Sequence, residues 1–449
     1  MEKLLKEVLK RVNPSKEEID AISEFTKKVL KTAKSLGVEA TVQGSIAKDT
    51  WVSGTHDLDV FICFNEDVPR SRLEKDGISF GKKIIKELGG KPELVYAEHP
   101  YTKSTIDGFV LDIVPCYKLE SASKIKSAVD RTPFHTEYIL KNFSGKQTSE
   151  VRLLKRFMKG IGVYGAKEKV RGFSGYLCEL LILEYGSFLD LISAAGKWKV
   201  GQSLDKEKFG TAKNFDDSLI VIDPTDKNRN VAAALDKDKY EIFIKASREF
   251  QRKHKIEFFF PNEVKSFSKE SLKKELSKRG HLAILEFKPP KVVEDILYSQ
   301  LRKSAHTIVA FMKRAHFPVL GYSYTSGDFS HILLDLEIAS LPDKQKVDGP
   351  PTDVDQKFQD EFAKKHKKNK TWISGGRWHV EIDRVHRTPE SLLNEIIKSP
   401  KDYGIGKYVA KSLSKGCKIL SSAELLDSDS EELEKFLTIY LSKKSPWEW

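Results

Sequence analysis

Apolar residues recur at helical spacing close to the start of the chain. Asn13-Pro14-Ser15 gives a helix-start signal, and Ser15 and Glu18 have the spacing of a capping box. Gly37 follows as a C-terminal stop. The pattern predicts a long helix between Ser15 and Gly37. Its apolar positions are Ile19, Ile22, Phe25, Val29, Ala33 and Leu36.

The next hundred residues mix strand and helix patterns. Residues 38–43 alternate as a half-buried strand does, and 57–64 and 109–114 are apolar runs that also favour strands, the last stopped by Pro115. Residues 79–88 predict a helix that ends at Gly89-Gly90. Together these elements predict a small α+β domain over about the first 140 residues.

The pattern becomes mainly helical from about Ser149. Residues 151–158 predict a basic amphipathic helix, and 175–185 predict a strongly apolar helix. Residues 230–250 predict a third helix, whereas the basic stretch 197–213 predicts an irregular surface loop. This part of the chain is therefore expected to form a helical central domain.

The last third alternates strands with helices. The order β-α-β-β-α-β is the ferredoxin-like arrangement, which RNA-recognition modules also use. The aromatic signature for stacking bases on such a sheet is not apparent, so base stacking there is not supported. The predicted strands are 281–287, 319–324, 331–338 and 377–384, and the predicted helices are 292–315 and 353–367.

Composition narrows the class of protein. Of 449 residues, 77 are Lys or Arg and 65 are Asp or Glu, which gives a net charge of +12. This balance favours a polyanionic partner, although a highly charged surface alone gives the same composition. No apolar run approaches the roughly 20 residues of a membrane span, and no signal peptide is apparent. Cys63, Cys116, Cys178 and Cys417 are scattered, so zinc and a disulfide framework are not expected, and a reducing cytoplasm fits.

Three carboxylates carry the clearest chemical signal. Asp57 and Asp59 are two apart in a predicted strand, so both side chains lie on one face. Asp112 interrupts another apolar strand and needs a partner. If the two strands are neighbours, the three acids converge on a site suited to Mg²⁺. Two metal ions there would align an attacking hydroxyl with a pyrophosphate leaving group.

Gly44-Ser45 supplies the expected phosphate-binding part of this site. Glycine lets the backbone turn tightly and approach a phosphate, and a serine hydroxyl with the following amides can donate to a triphosphate. A DxD pattern alone is common and weak. In combination with the Gly-Ser pair, the strand context and Asp112, it favours nucleotidyl transfer.

These residues resemble a known superfamily. Gly44-Ser45, eleven residues, then Asp57-x-Asp59 resembles the polymerase-beta-type nucleotidyltransferase signature. Longer blocks resemble the archaeal class I CCA-adding enzymes, and the last 50 residues match least clearly. The blocks are His99-Pro100-Tyr101 and residues 112–117, 127–135, 151–155, 163–165, 171–179, 223–224 and 229–232.

The resemblance implies a fold and an activity. The fold is α+β and multidomain: a nucleotidyltransferase head (1–142), a mainly helical central or neck domain (143–260), and a ferredoxin-like body with a helical tail (261–449). The activity is template-independent addition of CCA to the 3′ end of tRNA from CTP and ATP. The implied partners are the acceptor stem and TΨC arm of tRNA, and the implied assembly is a homodimer. A lysine run at 364–370 could contact RNA or be a solvated surface.

The resemblance also implies roles for ten residues. Asp57 and Asp59 would bind two Mg²⁺ ions, and Asp112 would complete the site and help deprotonate the primer 3′-hydroxyl. Arg229 would bind the incoming base together with RNA phosphates. The residues expected at the nucleotide phosphates are Ser45, Lys48, His135, Lys155 and Tyr164, with Thr132 nearby.

Each of these positions has a structural alternative. Lys155 could be a solvated lysine, Tyr164 a packing residue, His135 and His99 structural histidines, and Arg229 part of a polar turn. A related nucleotidyltransferase, such as a poly(A) polymerase or oligoadenylate synthetase, would use the same carboxylates. A non-catalytic tRNA-binding protein on the same scaffold is a further alternative.

The string Glu66-Asp67-Val68-Pro69-Arg70 matches the EDxxR pattern by which class II CCA enzymes read the base. We interpret it as coincidence, since Pro69 would interrupt any helix that aligned Glu66, Asp67 and Arg70.

Overall fold

The computed structural model describes residues 1–96, 100–426, 428 and 430–449. His99, which lies in one of the resembling blocks, is outside the described residues. The chain forms two compact units, the first from Met1–Glu263 with Ser445–Trp449 and the second from Val264–Lys444.

The first unit contains nine α-helices and eight strands in its described residues, besides short 3-10 turns. They are α1 (Glu2–Val12), α2 (Lys16–Ser35), β1 (Ala40–Gln43), α3 (Gly44–Ala47), β2 (Asp57–Phe64), α4 (Arg70–Glu87), β3 (Glu93–Val95), β4 (Tyr101–Ile106), β5 (Phe109–Tyr117), α5 (Arg131–Asn142), α6 (Gln147–Gly160), α7 (Gly175–Tyr185), α8 (Phe188–Ala195), β6 (Gln202–Leu204), β7 (Leu219–Asp223), β8 (Asp226–Asn230) and α9 (Lys237–Arg252).

A five-stranded mixed sheet organises the first 120 residues. Its strand order is β1-β2-β5-β4-β3. β2 and β5 run parallel, and the other neighbouring pairs are antiparallel. Alternate residues of β2, namely Leu58, Val60 and Ile62, pack under α2 and α4 in one apolar core. The other face of β2 therefore carries Asp57 and Asp59.

The capping box predicted for α2 is confirmed. The Ser15 hydroxyl accepts from the amide of Glu18, and the Glu18 carboxylate accepts from the amide of Ser15. The same carboxylate also accepts from the Ser53 hydroxyl and the Gly54 amide. Glu18 thus ties the start of α2 to the turn that leads into β2.

Two predictions about this sheet are wrong. Pro115 does not stop β5, which continues to Tyr117. β4 pairs with β5 only as far as Ile113, so Pro115 lies where β5 keeps one neighbour, and its missing N–H is tolerated. The helix expected at 79–88 begins earlier, at Arg70, directly after Pro69. Glu66 and Asp67 therefore precede the helix, as the interpretation of the EDxxR string requires.

Residues 131–260 build one large apolar core with α1. Aromatic rings concentrate in it: Phe157 lies 5.4 to 5.9 Å from Phe188, Phe250 and Phe258 between ring centroids. The helix predicted for residues 230–250 begins later than expected. Asn230 ends β8, and α9 begins at Lys237. The loop expected at 197–213 contains β6, which joins β7 and β8 in a three-stranded sheet.

The final residues of the chain also belong to the first unit. The Trp447 ring stacks on Phe258 with 5.3 Å between centroids, and its indole N–H donates to Glu249 at 2.7 Å. Asn262 donates to the carbonyl of Trp449 at 2.8 Å.

The second unit contains seven helices and seven strands in its described residues. They are α10 (Lys269–Ser277), β9 (His281–Phe287), α11 (Glu294–Arg314), β10 (Val319–Ser326), β11 (Ser330–Leu336), β12 (Lys344–Pro351), α12 (Gln356–Lys365), β13 (Lys370–Ser374), β14 (Arg377–Asp383), α13 (Pro389–Lys398), α14 (Lys407–Lys415), β15 (Cys417–Ser421), α15 (Ser422–Leu426) and α16 (Glu431–Ser442).

The ferredoxin-like arrangement is confirmed, with a different second helix (α13 and α14 instead of the segment expected at 353–367) and a different fourth strand. Four antiparallel strands lie in the order β10-β11-β9-β15. The segment expected as the fourth strand, β14, instead lies in a separate sheet of order β12-β14-β13 beside α12. The short strand β15 escaped prediction, since its five residues follow α14 with only Gly416 between them. The lysines of the 364–370 run are exposed at the end of α12 and the start of β13.

No helix in the described parts of the chain combines the length and apolar character needed to cross a membrane.

Candidate active site

The three acids predicted from the sequence come from neighbouring parallel strands. Asp57 and Asp59 lie on β2, and Asp112 lies on β5. Asp59 and Asp112 are register partners, which places their side chains side by side on one face. The expected adjacency of the two strands is therefore confirmed.

The electrostatics of this face show that the acids are crowded. Burial, followed by the charges of Asp112 and Asp57, raises the pKa of Asp59 to about 7. Burial also raises the pKa of Asp112, and Lys103, whose ammonium lies 3.3 Å from Asp112 Oδ1, partly offsets this. Like charges this close favour a bound cation or a retained proton.

The donor set suits a hard divalent ion that also binds substrate. Asp112 Oδ1 is buried and its described neighbour is the Lys103 ammonium at 3.3 Å, while Asp57 is exposed. Within the described residues, no three His, Cys, Asp or Glu side chains are grouped closely enough to hold a metal ion by themselves. Mg²⁺ binds through one or two carboxylates and takes its other ligands from phosphates and water.

Gly44 and Ser45 begin α3 directly beside Asp59. Gly44 has φ of +72°, and a Cβ built on it would lie 2.1 Å from Asp59 Oδ2. Only glycine therefore allows this close approach. Ser45 is half-buried, and its hydroxyl makes no hydrogen bond with a described residue.

Lys48 and Lys155 meet at a buried glutamate. Lys48 is 7% exposed, and its ammonium pairs with Glu179 Oε2. Lys155 is 3% exposed and lies 3.6 Å from Glu179 Oε1, and it donates to the Thr50 carbonyl at 2.9 Å. The Thr50 hydroxyl donates to Glu179 Oε1 at 2.6 Å. Lys155 is thus neither solvated nor exposed, which excludes the structural alternative weighed for it.

His135 and Arg229 converge on a second buried acid, Asp223. His135 Nε2 lies 2.8 Å from Asp223 Oδ2, and Arg229 Nη1 donates to the same oxygen at 2.7 Å. The Thr225 hydroxyl donates to Asp223 Oδ1 at 2.8 Å. Despite its burial, the hydrogen bond and charge of His135 and the hydrogen bonds from Thr225 hold the pKa of Asp223 well below its ordinary value. The Tyr176 ring stacks on His135 with 3.9 Å between centroids.

Tyr164 and Thr132 lie at the margins of these clusters. Tyr164 follows α6 and forms an isolated bridge with Phe173, and Lys159 lies 5.5 Å from its ring centroid. Burial raises the pKa of Tyr164, and Asp57 contributes to that rise. Thr132 lies half-buried in the first turn of α5, next to Arg131.

The sequence analysis assigned no site role to Glu179 or Asp223 and placed Tyr176 in the core of an apolar helix, although all three stood in the quoted blocks. Glu179 carried a signal: a carboxylate within the apolar helix α7 needs a buried counter-charge. Asp223 carried a similar one, since it ends the fully buried strand β7.

Comparison with known proteins identifies the family. Three family models match: "Nucleotidyltransferase domain" over 22–135, "tRNA nucleotidyltransferase, second domain" over 149–260, and "CCA-adding enzyme, C-terminal domain" over 279–422. A CCA-adding enzyme of Methanothermobacter thermautotrophicus is 36% identical over 98% of this chain and 97% of its own. The chain belongs to the CCA-adding enzyme family. Family members from Methanosarcina barkeri (38% identical, 93% of each chain) and Archaeoglobus fulgidus (35%, 95% and 96%) agree.

The family match includes the three acids, since the nucleotidyltransferase model covers residues 22–135. The head that carries the three acids matches the nucleotidyltransferase model, and the superfamily generally uses divalent metals. The protein is therefore an enzyme of the nucleotidyltransferase superfamily, as the sequence indicated.

Proposed function

We propose that this protein adds CCA to the 3′ end of tRNA without a nucleic-acid template, using CTP and ATP and releasing pyrophosphate. Family membership supports the activity. The observation that carries it is the register pairing of Asp59 with Asp112 beside Gly44, which gathers the acids that nucleotidyl transfer needs.

Two Mg²⁺ ions are the proposed cofactors, held by Asp57, Asp59 and Asp112. When bound, they would acidify the primer 3′-hydroxyl and neutralise the charge on the leaving pyrophosphate. Asp112, the register partner of Asp59 on the neighbouring strand, is proposed to accept the hydroxyl proton. Lys103 holds this carboxylate in place from β4.

Ser45, Lys48 and Lys155 are proposed to bind the nucleotide triphosphate, with Thr132, His135 and Tyr164 beside it. The free Ser45 hydroxyl is a ready donor. Lys48 is close enough to Asp59 to lower the pKa of that acid, which supports a position near the reacting phosphate. Glu179 holds both ammoniums in the folded protein, so we infer that a triphosphate competes with Glu179 for them.

Arg229 is proposed to read the incoming base, together with RNA phosphates. Asp223 fixes its guanidinium, and a fixed hydrogen-bonding group discriminates between base edges better than a mobile one. Tyr176 and His135 stack beside it and close one side of this group.

tRNA is the proposed partner, through its acceptor stem and TΨC arm. The exposed lysines of the 364–370 run would contribute phosphate contacts. We propose a head domain at 1–142, a neck domain at 143–260 and a body with tail at 261–449, with the difference that Ser445–Trp449 of this last range pack in the first unit. We also propose that the enzyme is a cytoplasmic homodimer.

The test is incorporation by the purified full chain. With Mg²⁺ and tRNA that lacks its 3′ end, we expect two C residues and then one A, with little G or U. Asp59→Asn should abolish transfer and keep the circular dichroism spectrum. Asp76→Asn, at an ion pair on α4, is the matched control and should remain active. Long runs of A would point to a poly(A) polymerase, and no incorporation at all would overturn the proposal.

A further inference from the structure

Two cysteines lie side by side on the sheet that carries the acids. Cys63 on β2 and Cys116 on β5 are register partners, four residues beyond Asp59 and Asp112 respectively. The even spacing places the thiols on the same face as the acids. Their sulfur atoms are 3.9 Å apart, and the Cys116 thiol donates to Cys63.

The environments of the two thiols differ. Cys116 is 1% exposed and packs with Phe61 and Val114 in a small apolar cluster. Cys63 lies at the edge of that cluster and is partly exposed, so a small reagent can reach it. The Thr41 hydroxyl lies 3.8 Å from Cys63 Sγ.

This arrangement makes Cys63 the more acidic thiol. The hydrogen bond from Cys116, opposed by burial and assisted by Thr41, lowers the pKa of Cys63 to about 7. The charges nearby oppose each other, since Glu39 raises and Lys118 lowers this pKa. The same hydrogen bond and burial raise the pKa of Cys116. A partly exposed thiolate beside a buried thiol is the pattern of a reactive cysteine with a resolving partner.

We propose that Cys63 and Cys116 form a peroxide-reactive thiol pair, in which Cys63 is oxidised and Cys116 resolves it. The Cys63 thiolate attacks a hydroperoxide oxygen, the O–O bond breaks, and the sulfur becomes a sulfenic acid while the peroxide is reduced to water or an alcohol. Cys116 sulfur then attacks Cys63 sulfur. The S–S bond forms, the S–O bond breaks, and the hydroxyl leaves as water with the Cys116 proton.

The backbone permits this bridge. Neighbouring strands lie about 4.8 Å apart, inside the roughly 4.4–6.8 Å range of Cα separations that disulfides span. Because Cys63 and Cys116 are already in register, side-chain rotation alone can bring the sulfurs together. The bridge would halt oxidation before an anionic sulfinic acid forms on the strand that carries Asp59. This inference does not depend on the proposed tRNA activity.

The first experiment measures alkylation of the native full chain. Iodoacetamide at pH 7, with peptide mapping by mass spectrometry, should modify Cys63 at least about tenfold faster than Cys417. Cys417 is the internal control, since it is also partly exposed but burial raises its pKa to about 12. Equal rates at the two cysteines would overturn the proposal.

The second experiment follows the product of oxidation. Hydrogen peroxide should yield an intramolecular Cys63–Cys116 disulfide that dithiothreitol reverses. Cys116→Ser should instead accumulate sulfinic acid at Cys63, which dithiothreitol does not reverse. Sulfinic acid at Cys63 in the unaltered chain, or unmodified Cys63 while Cys417 oxidises, would contradict the proposal. If Cys116→Ser does not fold, the product found in the unaltered chain still decides between these outcomes.

Discussion

The main chain of Gly44 lies directly against the carboxylate of Asp59. A Cβ at residue 44 would fall 2.1 Å from Asp59 Oδ2, a distance that no real pair of atoms adopts without movement. The glycine therefore sets where this carboxylate can lie, and through it where the proposed metal ions would bind.

Gly44→Ala should displace Asp59 and reduce nucleotide transfer by at least about a hundredfold, as misplacement of a reacting group by about 1 Å can. The measurement is kcat/KM for CTP incorporation. The backbone strain of Ala at positive φ adds a loss of stability of about 1–2 kcal/mol.

Gly37→Ala separates these two effects. Gly37 has φ of +73°, nearly the same as Gly44, and a Cβ added there would meet nothing within 4 Å. This variant should lose similar stability and keep its activity. Equal activity of the two variants would mean that the Gly44 contact does not matter.

Glu179→Gln should leave the Lys48 and Lys155 ammoniums with no full counter-charge. Removal of one partner from a buried ion pair typically costs about 3–5 kcal/mol. The melting temperature should fall, and hydrogen exchange should locate the loosening to α6 and α7. Glu184→Gln is the matched control on the same helix, because its pair with Lys206 is partly exposed.

Double substitution tests whether this cost comes from the pair. Glu179→Gln with Lys48→Met should lose less free energy of unfolding than the two single variants added together. Additive losses would show that Lys48 and Glu179 do not depend on each other.

Asp223→Asn should release the Arg229 guanidinium and weaken base selection. We expect the ratio of kcat/KM for CTP to that for UTP to fall about tenfold, because Arg229 loses a charged acceptor. Asp226→Asn is the control, since Asp226 pairs with Arg131 at 3.4 Å. An unchanged CTP-to-UTP ratio in Asp223→Asn would show that Asp223 does not contribute to base selection.

The lowered pKa of Glu18 predicts that the stability of the fold depends on pH below about pH 4.5. Burial raises the pKa of Glu18. Hydrogen bonds from the amides of Ser15 and Gly54 and from the side chains of Ser53 and His56 outweigh burial and lower this pKa to about 2. A depressed pKa stabilises the fold above the unfolded value near 4.5, and this stability is lost as pH falls toward 2.

Glu18→Gln should therefore cost stability at pH 6, on the order of 1 kcal/mol for a partly exposed carboxylate, and almost none near pH 2. Thermal melting across that range measures the difference. Glu24→Gln, at an exposed position on the same helix, should show no such convergence. Parallel curves for Glu18→Gln and the unaltered chain would contradict the assignment.

The sequence alone was enough to predict the features that depend on the spacing of nearby residues. The capping box of α2 and the shared face of Asp57 and Asp59 follow from residues two or three apart. The adjacency of β2 and β5 was a conditional expectation, because the sequence does not show which strands pair.

The partners of the candidate site residues were beyond the reach of sequence reasoning. Lys48 and Glu179 are 131 residues apart, and His135 and Asp223 are 88 apart. Such pairings arise only from tertiary packing. The fourth ferredoxin-like strand was assigned wrongly for a related reason: β12, α12, β13 and β14 interrupt the unit, and their pattern looks like its continuation.

Trp447, whose indole packs on Phe258, shows that the polypeptide leaves the first unit after Glu263 and rejoins it at Ser445. The second unit is thus an insertion in the sequence of the first, and two chain connections join them. Truncation after Lys444 would leave the second unit complete but would remove Trp447 from the core of the first. A clean separation needs excision of 264–444 with a short bridge in its place.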